Sequence, residues 1–232
     1  MLHIKDVTLE NGSFLLSLDL PPLATGIYAM IGPSGGGKST ALAAIAGFQP
    51  LNMGKVLWQG RDISTAPPAM RPVAILFQDN NLFPHLSIER NVALALSHRK
   101  SLTQDEKTKV SVALAHVGLE AYGTKKPAEL SGGEQSRAAL ARILLQDKPI
   151  LLLDEPFSAL GPALRHDMLD LVSEMASETK TTVIMVTHMV SDARRIAEET
   201  IFIDNGKAEL PIRTRELLEN PTPALKKYLG ND

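Results

Sequence analysis

Residues 32–40, GPSGGGKST, constrain this chain more than any other stretch. They fit the phosphate-loop pattern G-x-x-x-x-G-K-[ST], with Gly32, Gly37, Lys38 and Ser39 on its fixed positions. Pro33, Ser34, Gly35, Gly36 and the following Thr40 complete the loop. Such a loop needs a strand entering and a helix leaving, and both are written beside it. The apolar run IYAMI reads as a buried strand over residues 27–31, and KSTALAAIAGF as a helix. Glycines let backbone N–H groups curl around phosphate oxygens, Lys38 supplies charge to the β and γ phosphates, and the Ser39 hydroxyl can ligate Mg²⁺. An ordinary glycine turn before a helix is the alternative, and strand, loop and helix standing in register argue against it.

The segments around this unit set the fold class. LHIKDVTL and SFLLSLDL, separated by the turn signal ENG, predict an antiparallel hairpin. GKVLWQGRDIS predicts two short strands with a tight turn at Gln59 and Gly60, and VAILFQ a further strand ending at Gln78. Between residues 79 and 146 the period becomes helical, in SIERNVALALSH, TQDEKTKVSVALAHVGL and GGEQSRAALARILLQ. Strand-type runs return in PILLLDEP and TTVIMVTH, with the helical ALRHDMLDLVSEMASE between them. That order predicts an α/β core with a parallel sheet, interrupted by an all-helical insert. Residues 1–78 and 147–210 form the core with its antiparallel strands, 79–146 the insert, and 211–232 a tail holding one short helix and a loose end. No internal repeat or low-complexity tract is visible.

Composition narrows the function classes. A length of 232 residues suits one domain with an inserted subdomain, and a net charge of −2 argues against a general nucleic-acid-binding surface. The absence of cysteine excludes disulfides, thiolate nucleophiles and Cys-ligated metals, and suits a reducing compartment. The start, MLHIKDVTLENG, lacks the basic and apolar regions of a secretory signal, and no apolar run is long enough to span a bilayer. A soluble, cytoplasmic protein is expected, with any membrane role arriving through a partner.

Several other residues can carry chemistry. In PILLLDEP the carboxylates Asp154 and Glu155 stand at a strand's C-terminal end, where open α/β sheets place ligands. Asp154 would hold Mg²⁺ through water, and Glu155 would orient or deprotonate the water attacking a γ-phosphate. Two acids after a strand are otherwise a solvated loop, a reading that weakens once a phosphate loop is present. Gln78 and His188, each ending a strand, are either γ-phosphate sensors or structural residues. Residues 130–145, LSGGEQSRAALARILL, place Ser131, Gly132 and Gly133 before a helix expected to begin near Glu134. This is either a Ser-capped helix with a glycine turn, or a lysine-less anion site that completes a phosphate site built elsewhere.

Taken in order, the phosphate loop at 32–39, FQ at 77–78, LSGGEQ at 130–135, ILLLDEP at 150–156 and VTH at 186–188 closely resemble the ATP-binding subunits of ABC transporters. The resemblance spans nearly the whole chain, and the signature-type LSGGEQ is its most specific part. It implies a phosphate-loop NTPase (ABC ATPase) core with an N-terminal antiparallel β subdomain and an inserted α-helical subdomain, with ATP and Mg²⁺ as ligands. It implies a head-to-tail pair of copies, in which Ser131, Gly132, Gly133 and Glu134 of one contact ATP held by the phosphate loop of the other. By the same resemblance Glu155 is the catalytic carboxylate, His188 the switch histidine, and Gln78 a catalytic and metal-binding residue, joining Ser39 and Asp154, that would couple the nucleotide to a membrane partner. The segment DNNLFPHLSIERNV would help form the groove for a permease.

The implied partners are a second copy, integral membrane permease subunits and, indirectly, a periplasmic substrate-binding protein, with no nucleic acid. The implied location is the cytoplasmic face of the inner membrane. Two departures stand out. Gly161 occupies the place of a usual Asp in FSALGPALR, and no aromatic stands near Asn11 to stack on adenine; Phe14 is the nearest substitute, or a core strand residue. PPAMRPVAILFQDNNLF and LLLDEPFSALGPALR are most similar to the ATP-binding subunits of thiamine importers. Ferric iron, polyamine and phosphonate importers share much of this wording. Two other classes are a soluble ABC-type ATPase of DNA repair or translation, which would carry coiled-coil inserts or tandem cassettes, and a nucleotide-binding module without turnover.

Overall fold

Alternating apolar residues build the first pair of strands, β1 (Leu2–Asn11) and β2 (Phe14–Leu23), which bury Leu2, Ile4, Val7, Leu9, Leu16, Leu18 and Leu20. The alternation in β1 slips between Ile4 and Val7, where Asp6 takes φ 49° and the register shifts, so apolar side chains stay on the covered face. In the computed structural model, which describes residues 1–12, 14–97, 99 and 101–230, β3 (Gly26–Ile31) and α1 (Lys38–Ala46) come next. β4 (Met53–Trp58), β5 (Arg61–Asp62) and β6 (Val73–Leu76) follow. Gln59 and Gly60 have φ 49° and 79°, giving the tight turn expected between β4 and β5.

The helices of the middle region are α2 (Ile88–Ala93), α3 (Gln104–His116) and α4 (Gly132–Leu144). Then come β7 (Ile150–Asp154), α5 (Pro162–Thr179), β8 (Thr182–Val186), α6 (Val190–Ile196), β9 (Glu199–Asp204), β10 (Lys207–Ala208), β11 (Ile212–Arg213), α7 (Thr214–Glu219) and α8 (Pro223–Leu229). The chain divides into two compact units: Met1–Val73, Pro149–Asp154 and Ser173–Asp232 form the first, and Ala74–Lys148 with Glu155–Val172 the second.

In the first unit the strands run in the order β5-β4-β1-β2-β10-β9-β3-β8-β7, with β11 pairing on β9. β5, β4, β1 and β2 are antiparallel, whereas β9, β3, β8 and β7 are parallel. Every residue of β7 and β8 is buried, the continuous apolar pattern of parallel strands covered on both faces. Arg71, 2 % exposed, braces the far end of α1, donating to the carbonyls of Ala44 at 3.0 Å and Ile45 at 2.7 Å. Both carbonyls stand in the last turn of α1, where that of Ala44 also accepts the Gly47 N–H at 3.2 Å, so the guanidinium completes the helix end.

The C-terminal tail differs from the single helix and loose end expected. Ile212 pairs with Thr200 of β9, and two helices follow, burying Leu217 and Leu225. The second has a full set of boundary residues: Thr222 caps it, Pro223 stands at its first turn, and Gly230 closes it at φ 72°. Also absent from the sequence reading are α6 and the β9–β10 hairpin, whose turn at Asn205 and Gly206 has φ 47° and 75°.

The second unit is helical. Asn91 is fully buried and satisfies both ends of its amide: Oδ1 accepts from the Phe83 N–H at 2.7 Å, and Nδ2 donates to the carbonyls of Phe83, Leu86 and Ser87. One side chain therefore fixes the loop over residues 83–87 ahead of α2.

Candidate functional site

The phosphate loop owes its shape to close approach. A Cβ on Gly32, at φ 150°, would lie 1.9 Å from the Ile203 carbonyl, and one on Gly37, at φ 106°, would lie 2.9 Å from the Phe14 ring. Only glycine fits either place. Lys38 is 7 % exposed, and its ammonium donates to the carbonyls of Gly32 and Pro33, each at 2.8 Å. The loop thus holds its positive charge against its own backbone, at the N-terminus of α1, where helix dipole and free N–H groups already favour an anion. Ser34, Gly35, Gly36 and Thr40 lie on the same loop and first turn, with the Gly36 N–H donating to the Pro33 carbonyl at 3.1 Å.

The parallel sheet brings in the next residues. Asp154 ends β7, opposite Val186 of β8, which in turn pairs with Met30 of β3. The ends of β3, β7 and β8 therefore form one edge, from which the phosphate loop, Asp154 and the segment holding His188 all leave. The Ser39 hydroxyl donates to Asp154 Oδ1 at 3.1 Å, and Asp154 is 6 % exposed. A hydroxyl and a carboxylate held together are hard oxygen donors of the kind Mg²⁺ uses alongside water and substrate phosphates. The pair fits that ion.

His188 lies two residues beyond β8 rather than at its end, because Thr187 already leaves the ladder. The Thr187 N–H donates to the Met30 carbonyl at 3.2 Å, and its hydroxyl donates to Asp192 Oδ2 at 3.3 Å while accepting from the Met189 N–H at 3.0 Å. Tyr228 of α8 donates to the His188 carbonyl at 3.4 Å. The backbone around an exposed imidazole is thus tied on three sides. Thr187 entered the sequence reading only as the middle residue of VTH, and Tyr228 was not singled out, since a Tyr near a terminus has no distinctive pattern.

Phe14 begins β2 and is half-buried. With Gly35, Asn205 and Gly206 it lines an open hollow of about 480 Å³ beside the phosphate loop. It is therefore both a strand residue and a wall of that hollow.

Within the second unit, Gln78 also departs from a strand end. β6 stops at Leu76, and Gln78 is exposed in a turn closed by the Asn80 N–H donating to the Phe77 carbonyl at 3.0 Å. The helix of LSGGEQ starts earlier than expected, at Gly132 instead of near Glu134, so both glycines lie in its first turn. Ser131 and Glu134 form a reciprocal capping box: the Ser131 N–H and hydroxyl donate to Glu134 Oε2 at 2.7 and 2.8 Å, and the Glu134 N–H donates back to Ser131 Oγ at 3.3 Å. The Ser131 backbone bond, then the hydroxyl bond, hold the Glu134 carboxyl below its ordinary pKa. Gly132 is exposed, and a Cβ on Gly133 would meet Leu160 at 2.8 Å. The signature turn therefore packs against the loop that follows Glu155.

Glu155 has φ 48°, a left-handed conformation that few non-glycine residues adopt. Its carbonyl accepts from the Ser158 N–H at 3.3 Å and hydroxyl at 3.1 Å. Arg165 then ties the carbonyls of Phe157 at 3.2 Å and Leu160 at 3.3 Å, so the loop is closed on α5. Gly161 precedes α5, has an ordinary φ, and faces open space where a side chain would stand.

Comparison with known proteins places these features in context. The family profile described as ABC transporter matches residues 16–158. Thiamine import ATP-binding protein ThiQ of Ruegeria sp. (strain TM1040) is 54 % identical over 99 % of this chain and 100 % of its own length. The protein of the same name from Cereibacter sphaeroides is 52 % identical over the same shares. Among solved structures, the dimeric post-hydrolysis state of the ATP-binding cassette MJ0796, bound to ADP and Pi, superposes with TM-score 0.81 at 28 % identity, covering 93 % of this chain and 99 % of that one. A second dimeric structure of MJ0796 gives TM-score 0.82 with the same identity and coverage.

Proposed function

This chain belongs to the ABC transporter family, and on that premise we propose that it is the ATP-hydrolysing subunit of an importer for thiamine or its phosphates. The observation that carries the substrate class is the identity of 54 % over the full length of a thiamine import ATP-binding protein. The chemistry rests on the first unit's geometry, where a phosphate loop, a poised lysine and a hydroxyl–carboxylate pair share one sheet edge.

The residues divide the work as follows. Loop N–H groups of residues 32–40 enclose the phosphates of ATP, and Lys38 exchanges its carbonyl partners for phosphate oxygens. Ser39 and Asp154 would hold Mg²⁺, which neutralises charge on the β and γ phosphates when bound; Gln78 is assigned as a further ligand. Glu155 orients or deprotonates the attacking water, and His188 contacts the γ-phosphate. The signature residues Ser131, Gly132 and Gly133, with Glu134, serve the nucleotide of a second copy, as the dimeric solved relatives suggest. Among the described residues no helix is long and apolar enough to cross a membrane. We assign transport itself to permease subunits that this chain joins at the cytoplasmic face of the membrane, supplied by a binding protein outside.

Uptake of labelled thiamine by cells carrying or lacking this chain tests the assignment. Loss of uptake on deletion, restored by the parent chain and not by Lys38→Ala, is the expected result. Undiminished uptake in the deleted strain would contradict the proposed cargo.

A further inference from the structure

The turn after Gln78 and the start of the signature helix are joined by a run of hydrogen bonds inside the second unit. Asn80 Nδ2 donates to Ser136 Oγ at 3.2 Å, and Ser136 Oγ donates to the Gly132 carbonyl at 3.1 Å. Ser136 is 3 % exposed, so its hydroxyl, the shared end of both bonds, is shielded from water competition. A second tie runs in parallel: Arg142, 9 % exposed, donates from Nη1 to the Asn81 carbonyl at 2.7 Å and from Nη2 to the Asn80 carbonyl at 2.9 Å.

The backbone is shaped for this purpose. Asn80 and Asn81 are consecutive left-handed residues, with φ 58° and 48°, and asparagine is among the few residues that tolerate that region. The conformation turns both carbonyls toward one guanidinium and leaves the Asn80 amide facing Ser136. A planar fork with fixed donors reads two adjacent carbonyls better than a lysine could. Gly132, at the end of the run, is itself one of the signature residues assigned to nucleotide.

We infer that Asn80, Ser136 and Arg142 are positioning residues that lock the Gln78 turn to the signature turn, so that the two move as one body when ATP binds. Gln78 stands two positions before Asn80, and Ser131 immediately before Gly132. A displacement of the Gln78 turn by nucleotide is then delivered to Gly132 rather than absorbed in the intervening loop. The inference rests on the reading of the signature turn as the half-site for a second copy's ATP.

The test uses the full chain in a Glu155→Gln background, with ATP-driven dimer formation followed by sedimentation. Asn80→Gly keeps the left-handed turn and removes the amide; Ser136→Ala removes the hydroxyl. Each should raise the ATP concentration for half-maximal dimerisation by about fivefold or more, and the double variant should be no worse than the worse single. ATP binding to the monomer and the melting temperature should be unchanged in Asn80→Gly, which a merely structural role would not allow alongside a shifted dimerisation midpoint. Midpoints equal to the parent's, or shifts that add in the double variant, would overturn the inference. Failure of the Glu155→Gln parent to dimerise would instead overturn the two-copy reading.

Discussion

Ser39 and Asp154 stand 115 positions apart, yet one hydrogen bond of 3.1 Å joins them beneath the phosphate loop. Both were legible because few positions offer that chemistry: a hydroxyl directly after a loop lysine, and a carboxylate ending an apolar strand. Asp154→Asn keeps an oxygen for Ser39 and removes the charge. Hydrolysis should fall by about 100-fold or more, the order associated with losing one charge-stabilising group, and the Mg²⁺ concentration for half-maximal rate should rise. An unchanged Mg²⁺ titration would remove Asp154 from the metal site. Arg142 and Ser136 were not legible in the same way. A serine on a helix reads as surface, and its burial depends on a turn 56 residues upstream that sequence does not place. Arg142 did leave a trace, as one cation inside the apolar run ALARILL, which a buried guanidinium seeking carbonyls explains.

At the scale of elements, strands and helices carrying strong period were legible, and short elements defined by their ends were not. β3, β7 and β8 stand out as apolar runs because both faces are covered. α8 has only seven residues, too few for a period to show, and its capping Thr222, first-turn Pro223 and closing Gly230 were the available signals. The LSGGEQ helix shows the same point: Ser131 was legible as a cap, but reading the glycines as a preceding turn misplaced the start by two residues. α5 offers a test at this scale. Gly161 precedes its first residue, Pro162, with its carbonyl accepting from the Arg165 N–H at 2.9 Å, the place where an acidic side chain caps well. Gly161→Asp meets open space, so the fold should be retained and the helix start stabilised by a few tenths of a kcal/mol. If the usual carboxylate there serves communication between nucleotide sites, the Hill coefficient for ATP hydrolysis should change. An unchanged coefficient, measured at equal protein concentration, would dismiss that role.

The whole molecule consists of two compact units that each hold some of the residues proposed to serve the nucleotide. The first carries the phosphate loop, Asp154 and His188; the second carries Gln78, the signature turn and Glu155. Sequence order predicted an interrupted core, and the structure adds that Glu155 and the first half of α5 group with the helical unit. That grouping was illegible because the boundary falls inside PILLLDEP, between adjacent carboxylates. A signature turn with no lysine of its own, capped by Ser131 and exposed at Gly132, makes sense as one half of a site completed by Lys38 of another copy. Sedimentation of Glu155→Gln with saturating Mg-ATP tests this most directly. The account predicts a stable dimer that Ser131→Arg abolishes while monomer ATP binding survives. A Glu155→Gln chain that stays monomeric and hydrolyses ATP at the parent rate would contradict it.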